Sequence, residues 1–408
     1  MVSGEMSVSG ITSKPLPIPG SPKPGIGYFI REWWGSYPIT QLAVLIGLIG
    51  IFWLMGSNMV HTMHRLGIQP GFAFLSQSAN FAIGESLIAY SPSDTFGRAA
   101  FVGLLNTGAI AVSGCILATL LGVSLGIARL SGNMLLSGLV RWYIEIIRNT
   151  PLLLQLFFWS AVTHALPPPR QAFNPLGILY LSNRGVSIPA FRLHELSLVT
   201  LAILVVCIAA LFAFYKVRSK RSVRHGIIEF SAMGLLAVLG FGLAFRLSGA
   251  SVALELPLLR GFNIAGGFNL TPEFAALLIG LVVNSSATIA EIIRSGIQSV
   301  PSGQWESARS LGLQPGRIMR LVILPQALRV IVPLMTSSYL DLTKNSSLAV
   351  AIGFPDLVSV LNTTANQSGQ ALEALAIIVV SYLAINLSVS TIMNKYNKRI
   401  EQRGFLPR

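Results

Sequence analysis

The sequence predicts an all-α integral membrane protein with about eight transmembrane helices, on three observations. Of its 408 residues, 52% are hydrophobic and only 11% are charged, against roughly a quarter charged in soluble domains, and mean hydropathy is +0.67. The apolar residues gather in runs of the ~20 residues that a helix needs to cross a ~30 Å hydrocarbon core while satisfying its own backbone. The basic residues gather at the flanks of those runs. A soluble two-domain enzyme of this length would need helices that alternate polar and apolar faces, and these runs do not.

Taken in order, the residues before about Gly27 are rich in Pro, Ser and Gly, with no early apolar stretch of the kind a cleavable leader needs, and read as a flexible tail. Apolar runs then predict spans at 39–59, 99–128, 150–166 (entering from about 140), 196–215, 226–246, 272–293, 327–345 and 372–393. Residues 71–89 are interrupted by Gln, Ser, Asn and Glu and read as an interfacial or outward-facing helix.

An even number of spans with the tail inside puts one set of charged flanks in the cytoplasm. Arg129, Arg141 and Arg148 fall there, as do Lys216 to Arg224, the five arginines from Arg294 to Arg329, and Lys395 to Arg408. With Lys14, Lys23 and Arg31, roughly 21 of the 29 basic residues are then inside, as the positive-inside rule expects. Both termini and residues 294–326 are therefore expected in the cytoplasm. The formal charge of +14 belongs to these membrane flanks, so no nucleic-acid partner is implied.

Several kinds of chemistry are excluded. No Gly-Lys dipeptide occurs, so no P-loop can cradle a nucleotide, and any ATP used must be bound by another chain. There is no His-Glu-x-x-His and no Cys pair at zinc spacing; Cys115 and Cys207 each lie inside an apolar run, and His61 and His64 are too few for a metal site. The tetrapeptide Glu145-Ile146-Ile147-Arg148 recurs as Glu291-Ile292-Ile293-Arg294, both at cytoplasmic edges, where an (i, i+3) ion pair neutralises itself. It reads as a common solution at such edges, not as a duplication.

One stretch does not suit its oily surroundings: ESARSLGLQPGRIMRLVILPQ, residues 306–326. Ser302 and Gly303 after Pro301 offer helix start signals, Glu306 suits the first turn, and Gly312 can take the left-handed conformation that ends a helix. Gln314-Pro315-Gly316 turns the chain. Ile318, Leu321, Val322 and Leu324 then line one side of a second helix that breaks into Pro325. The product is a cytoplasmic helical hairpin. On the residues alone, it is equally a connector resting on lipid headgroups through Arg309, Arg317 and Arg320.

The order Glu306-Ser307-Ala308, Gly312, Val322 and Leu324-Pro325 resembles the cytoplasmic loop signature of binding-protein-dependent ABC importer permeases, usually Glu-Ala-Ala, Gly, Ile and Leu-Pro at this spacing; Ser307 and Val322 depart from it mildly. EIIRNTPLLLQLFF from Glu145, NSSATIAEIIRSGIQSVPSGQWESARSLGL from Asn284 and DLTKNSSLAVAIGFPDL from Asp341 are similar to permeases of the histidine, glutamine and glutamate type. The additional spans resemble those of the longer permeases of general L-amino-acid systems.

That resemblance implies a five-span type I importer core plus three additional spans, in a bacterial inner membrane. It divides the chain into a tail at 1–38, an extra span and outward-facing segment at 39–94, core at 95–195, an inserted hairpin of two spans with an outer loop at 196–271, core at 272–400 carrying a coupling loop at 296–326, and a tail at 401–408. It implies that Glu306, Ser307, Ala308, Arg309, Gly312, Val322, Leu324 and Pro325 dock an ABC ATP-binding subunit. That partner would hold ATP and Mg, leaving this chain with no cofactor and no catalytic residue. A second permease subunit, a periplasmic amino-acid-binding protein and an L-amino-acid substrate complete the implied partners.

A zwitterion crossing lipid needs polar company. Asp341 and Lys344, three apart late in a span and near Asn345, either pair with each other or meet substrate. Asn106, Gln155, Asn284, Ser285 and Ser286 can line a polar path or join helices by hydrogen bonds. The alternative function is an ion-coupled secondary amino-acid carrier, which requires inverted repeats and intramembrane carboxylates in several spans; almost all acidic residues here lie at span edges. A membrane anchor or assembly factor would predict no transport.

Overall fold

The computed structural model describes residues 37–65, 67, 71–175, 177–194 and 251–403. The expected spans 196–215 and 226–246, Cys207 and the tail residues 1–36 and 404–408 lie outside them. The chain forms two units, one ending at Pro70 and the other starting at Gly71. The first contains α1, Pro38–Arg65, an apolar helix long enough to cross a membrane.

The second unit opens with a 3-10 turn at Phe72–Ser76 and an extended stretch that pairs Ser78 with Thr95. This corrects the helix expected over 71–89. The polar residues that interrupt the run are spent on turns, while Phe74 and Ala79 bury beneath them beside Phe96. Thr95 then caps α2, Phe96–Arg129, by accepting from Arg98 N.

After α2 come α3, Met134–Asn149, and α4, Leu152–His164. One continuous span was expected here, and Pro151 explains the break. A residue before proline is driven to extended backbone, and Thr150 has φ −99 and ψ 128. Gln155 closes the gap, its amide nitrogen donating to Thr150 O at 3.0 Å and to Ile147 O at 2.9 Å, the latter also accepting from Thr150 N at 3.3 Å.

The all-α expectation also needs correction outside the helices. Among the described residues are β1 Tyr180–Ser182, β2 Gly185–Ile188, β3 Ala190–His194, β4 Ser251–Glu255, β5 Leu258–Arg260, β6 Asn263–Ala265 and β7 Phe268–Leu270. They form a three-stranded sheet in the order β1-β2-β7 and two antiparallel pairs, β3 with β4 and β5 with β6. These strands are three to five residues long; β1 with β2 and β5 with β6 are local hairpins too short to show an alternating pattern, while β2 with β7 and β3 with β4 pair residues distant in sequence.

Then follow α5 Pro272–Gln298, α6 Ser302–Ser310 and α7 Pro315–Ile318, a π turn at Met319–Ile323, and α8 Leu324–Asn345. A 3-10 turn at Ser346–Ile352, α9 Leu357–Ser368 and α10 Ala371–Arg403 complete the chain. Five helical segments among the described residues are long and apolar enough to cross a membrane: 39–62, 96–129, 272–298, 315–352 and 371–400. α4, with 13 residues, spans only about 20 Å at 1.5 Å per residue.

The most extensive helix pair among the described residues is α2 on α5. A Cβ on Gly122 would stand 2.6 Å from Ile289 Cβ, and one on Gly126 would stand 2.8 Å from Ile293 Cβ. Only glycine lets the two helices approach so closely, and in lipid such small-residue seams replace the hydrophobic drive as the source of association. Beside the seam, Ala118, Ile289 and Ile293 join Val300, Ala308, Ile318, Ile323, Ala327 and Ile331 in one core cluster. The hairpin of α6 and α7 thus shares a core with α2, α5 and α8.

Candidate functional site

Three residues separate the end of α5 from the start of α6, the last of them Pro301. It closes in a Schellman motif: Gly312 N donates to Arg309 O at 2.8 Å and Leu313 N to Ala308 O at 3.3 Å. Gly312 has φ +69 with nothing within 4 Å of a Cβ built on it, so the need for glycine is conformational and not steric. Leu313 and the buried Ala308 meet in the shared core, the apolar contact that accompanies this motif. Pro315 then opens α7 at its first position.

The second helix does not break at Pro325, as the sequence suggested. It continues, widened by the π turn, with Leu324 N donating to Met319 O five residues back. The extra residue shifts the apolar face. Ile318 and Ile323 are 1% and 0% exposed, followed by Ala327 and Ile331, whereas Leu321 is 63% exposed and Leu324 is also exposed. Ile318, Leu321, Val322 and Leu324, expected along one side of the helix, are therefore divided: Ile318 buries fully, Val322 partly, and the other two face out.

What the hairpin presents is a mixed surface. Leu311, 78% exposed, stands beside the left-handed glycine, and Leu321 protrudes from the second helix. Glu306, Ser307, Arg309, Arg317, Arg320 and Pro325 are exposed around them. Two large apolar side chains held outward from a rigid, core-anchored hairpin among charges make a surface suited to a protein groove. Pattern reading missed Leu311, because the residue before a Schellman glycine carries no burial signal of its own.

The proposed substrate-path residues are not brought together. Asn106 is 2% exposed, and its amide donates to Glu85 O at 2.8 Å and Pro355 O at 2.9 Å, stapling two loops. Gln155 holds the α3–α4 break. Ser285 is buried and Asn284 half-buried, while Ser286 bonds Tyr143 at 2.9 Å. Asp341 and Lys344 are both exposed and form no ion pair with each other, contrary to one reading of their spacing. Lys344 instead lines a groove of about 470 Å³ with Ser347, Tyr382 and Asn386, and Asn345 is half-buried.

A second cleft, of about 350 Å³, lies where residues 81–85, the start of α5 and the start of α9 meet. Thr271 caps α5 by accepting from Phe274 N at 3.1 Å, and its hydroxyl donates to Glu85. Burial lifts the Glu85 carboxyl above its usual range; the Thr271 bond opposes that shift and the neighbouring Glu273 charge adds to it. Glu273 lies 3.5 Å from His164 at the end of α4. Asp356, 1% exposed, caps α9 by accepting from Ser359 N at 2.8 Å. Sequence reading singled out none of these groups; the Glu85–Thr271 and His164–Glu273 pairs join residues distant in the chain, whereas the Asp356 cap is local.

Towards the C-terminal end of α5, Glu291 accepts from Arg129 Nη1 at 2.7 Å and from Arg294 Nε at 3.1 Å. The pairing of Glu291 with Arg294 was readable from their spacing; that with Arg129, 162 residues away, was not.

Residues 114–402 match the family model described as the binding-protein-dependent transport system inner membrane component. The chain is 45% identical over 376 residues to YhdX of Escherichia coli (strain K12), named as an amino-acid ABC transporter permease, covering 91% of this chain and 94% of that one. It is 40% identical over 365 residues to the general L-amino acid transport system permease AapQ of Rhizobium johnstonii, covering 88% and 91%. With BztB of Rhodobacter capsulatus, named as a glutamate/glutamine/aspartate/asparagine transport system permease, identity is 37% over 399 residues, covering 90% and 93%. Matched along most of its length by that family model, and with spanning helices around a core-anchored hairpin, the chain belongs to the inner-membrane permease subunits of binding-protein-dependent ABC transporters, which are not themselves enzymes.

Proposed function

We propose that this chain is the permease subunit of an importer of L-amino acids, and that the 302–326 hairpin is where a separate ATP-binding subunit docks. The observation that carries the docking assignment is the Schellman-closed hairpin that buries Ala308 and Ile318 in the core shared with α2, α5 and α8 yet holds Leu311 and Leu321 outward. A connector resting on lipid would need its apolar side chains on one face; here they point both ways. The names borne by YhdX, AapQ and BztB support amino acids as the cargo class. ATP and Mg belong to the docked partner, a periplasmic amino-acid-binding protein delivers substrate from outside, and a second permease subunit completes the path.

In this reading both termini are cytoplasmic, eight spans cross the inner membrane, and the hairpin lies on the side where the arginines accumulate. Lys344 in its groove and the half-buried Asn284 are the residues of the proposed path best placed to meet substrate. The test is Gly312→Val and Glu306→Lys in vesicles reconstituted with the ATPase and binding protein. Both variants insert. Gly312→Val forces a β-branched residue into a left-handed position, costing about 1–2 kcal/mol locally, and each variant weakens ATPase pull-down and loses substrate-stimulated hydrolysis and uptake together. Wild-type hydrolysis and uptake in both variants would leave the hairpin a lipid-bound connector.

A further inference from the structure

The hairpin has a polar anchor that the loop signature does not include. α5 leads into α6 through Ser299, Val300 and Pro301, and α7 runs on through the π turn into α8, so a pull on the hairpin reaches both α5 and α8 directly, and α2 only through them. At this end of α5, Glu291 joins Arg129, the last residue of α2, at 2.7 Å, with side chains only 17% and 24% exposed. The same carboxylate holds Arg294, whose guanidinium reaches on to Gln298 at the last position of α5. Arg129 is also tied to the start of α3, because Ser137 Oγ donates to its carbonyl at 2.8 Å. Below this network runs the glycine seam, Gly122 against Ile289 and Gly126 against Ile293.

The seam and the ion pair do different things. A seam of van der Waals contacts resists separation but lets one helix slide or roll on another, since its contacts are weakly directional. A charge-assisted hydrogen bond fixes direction and register. Without it, α5 can follow the hairpin while α2 lags.

We propose that Arg129 is a positioning residue for coupling: through Glu291 it makes α2, and α3 with it, move with the hairpin, so that a displacement imposed by the ATPase reaches the transport path. This rests on the hairpin being the ATPase contact, and the experiment separates the two. Arg129→Gln is the informative change, because it leaves Glu291 paired with Arg294 and strands no bare carboxylate. Arg129→Lys keeps the charge. Arg141→Gln removes a cytoplasmic arginine from an exposed pair and controls for charge-directed topology.

Reconstituted with the ATPase and binding protein, Arg129→Gln is expected to hold the ATPase and to hydrolyse ATP at close to the wild-type rate. Uptake falls by roughly tenfold, the change that 1.4 kcal/mol of lost coupling gives, so more ATP is consumed per substrate moved. Arg129→Lys restores most of the uptake, and Arg141→Gln leaves the ratio unchanged. An unchanged ratio in Arg129→Gln, or hydrolysis and uptake falling together in step with protein level, overturns the proposal. If instead the Gly312 and Glu306 variants keep the ATPase and wild-type uptake, the docking assignment fails and takes this proposal with it, whereas failure in Arg129→Gln alone overturns only this one.

Discussion

Two copies of the same tetrapeptide, Glu145-Ile146-Ile147-Arg148 and Glu291-Ile292-Ile293-Arg294, end up in different physical situations. In α3, Glu145 turns back one turn to Arg141 at 2.8 Å, with side chains 54% and 65% exposed, and Arg148 ends a helix that breaks two residues later at Thr150. In α5, Glu291 pairs forward with Arg294 and across to Arg129, at about a quarter exposure, in a helix that runs on to Gln298 and into the hairpin. Identical local chemistry therefore has no fixed value. A pair in water gains little because solvent and salt screen it, whereas a half-buried pair with two cationic partners is difficult to dismantle one side at a time.

The largest expected effect breaks the second copy. Glu291→Gln leaves Arg129 and Arg294 facing each other without a counter-charge and should lower unfolding stability by about 2 to 3 kcal/mol. Glu145→Gln should change it immeasurably. Thermal unfolding of both variants in the same lipid or detergent checks this, and equal shifts would mean that exposure does not separate the copies.

Next in size is a test of what lies under each copy. Gly122→Ala on α2 drives a methyl to 2.6 Å from Ile289 and 2.9 Å from Ser286 O, at a cost of about 1 to 3 kcal/mol for overpacking. Gly138→Ala on α3 meets nothing within 4 Å and should be stabilising by up to about 1 kcal/mol through helix propensity. The signs should be opposite in the same unfolding assay.

The smallest effect concerns the break after the first copy. Gln155→Leu keeps the volume but removes the side-chain bonds to the carbonyls of Ile147 and Thr150, leaving Ile147 O only its bond from Thr150 N, at a cost of about 1 kcal/mol. Faster amide hydrogen exchange confined to the end of α3 and the start of α4 would show it, and protection unchanged there would mean that water or neighbouring groups satisfy those carbonyls.

The parts of this molecule that were legible in advance are those set by local physics. Apolar run length gave 99–128 and 272–293 within a few residues of α2 and α5, because a spanning helix must pair its own backbone. Gly312 was legible because only its backbone conformation matters there, and the hairpin loop was legible from spacing. The π turn was not: Pro325 signals trouble for a helix, yet whether the chain breaks or widens depends on Ile323 finding a place in a core shared with α2 and α5. Arg129 as partner to Glu291, Asn106 as a staple between loops, and Thr271 beneath Glu85 are settled by which helices meet, and a single sequence read locally does not record that. The substrate path was the least legible, since Asn, Gln and Ser in apolar helices look the same whether they face a path or close a helix end, as Gln155 does.

β3 and β4 have a consequence for engineering the chain. Ala190 lies opposite Glu255 and His194 opposite Ser251, so the polypeptide leaves the described fold and returns to it through a doorway one strand spacing wide, about 5 Å. Ladder hydrogen bonds hold the two sides of that doorway together, so neither has to move when residues are added or removed between them.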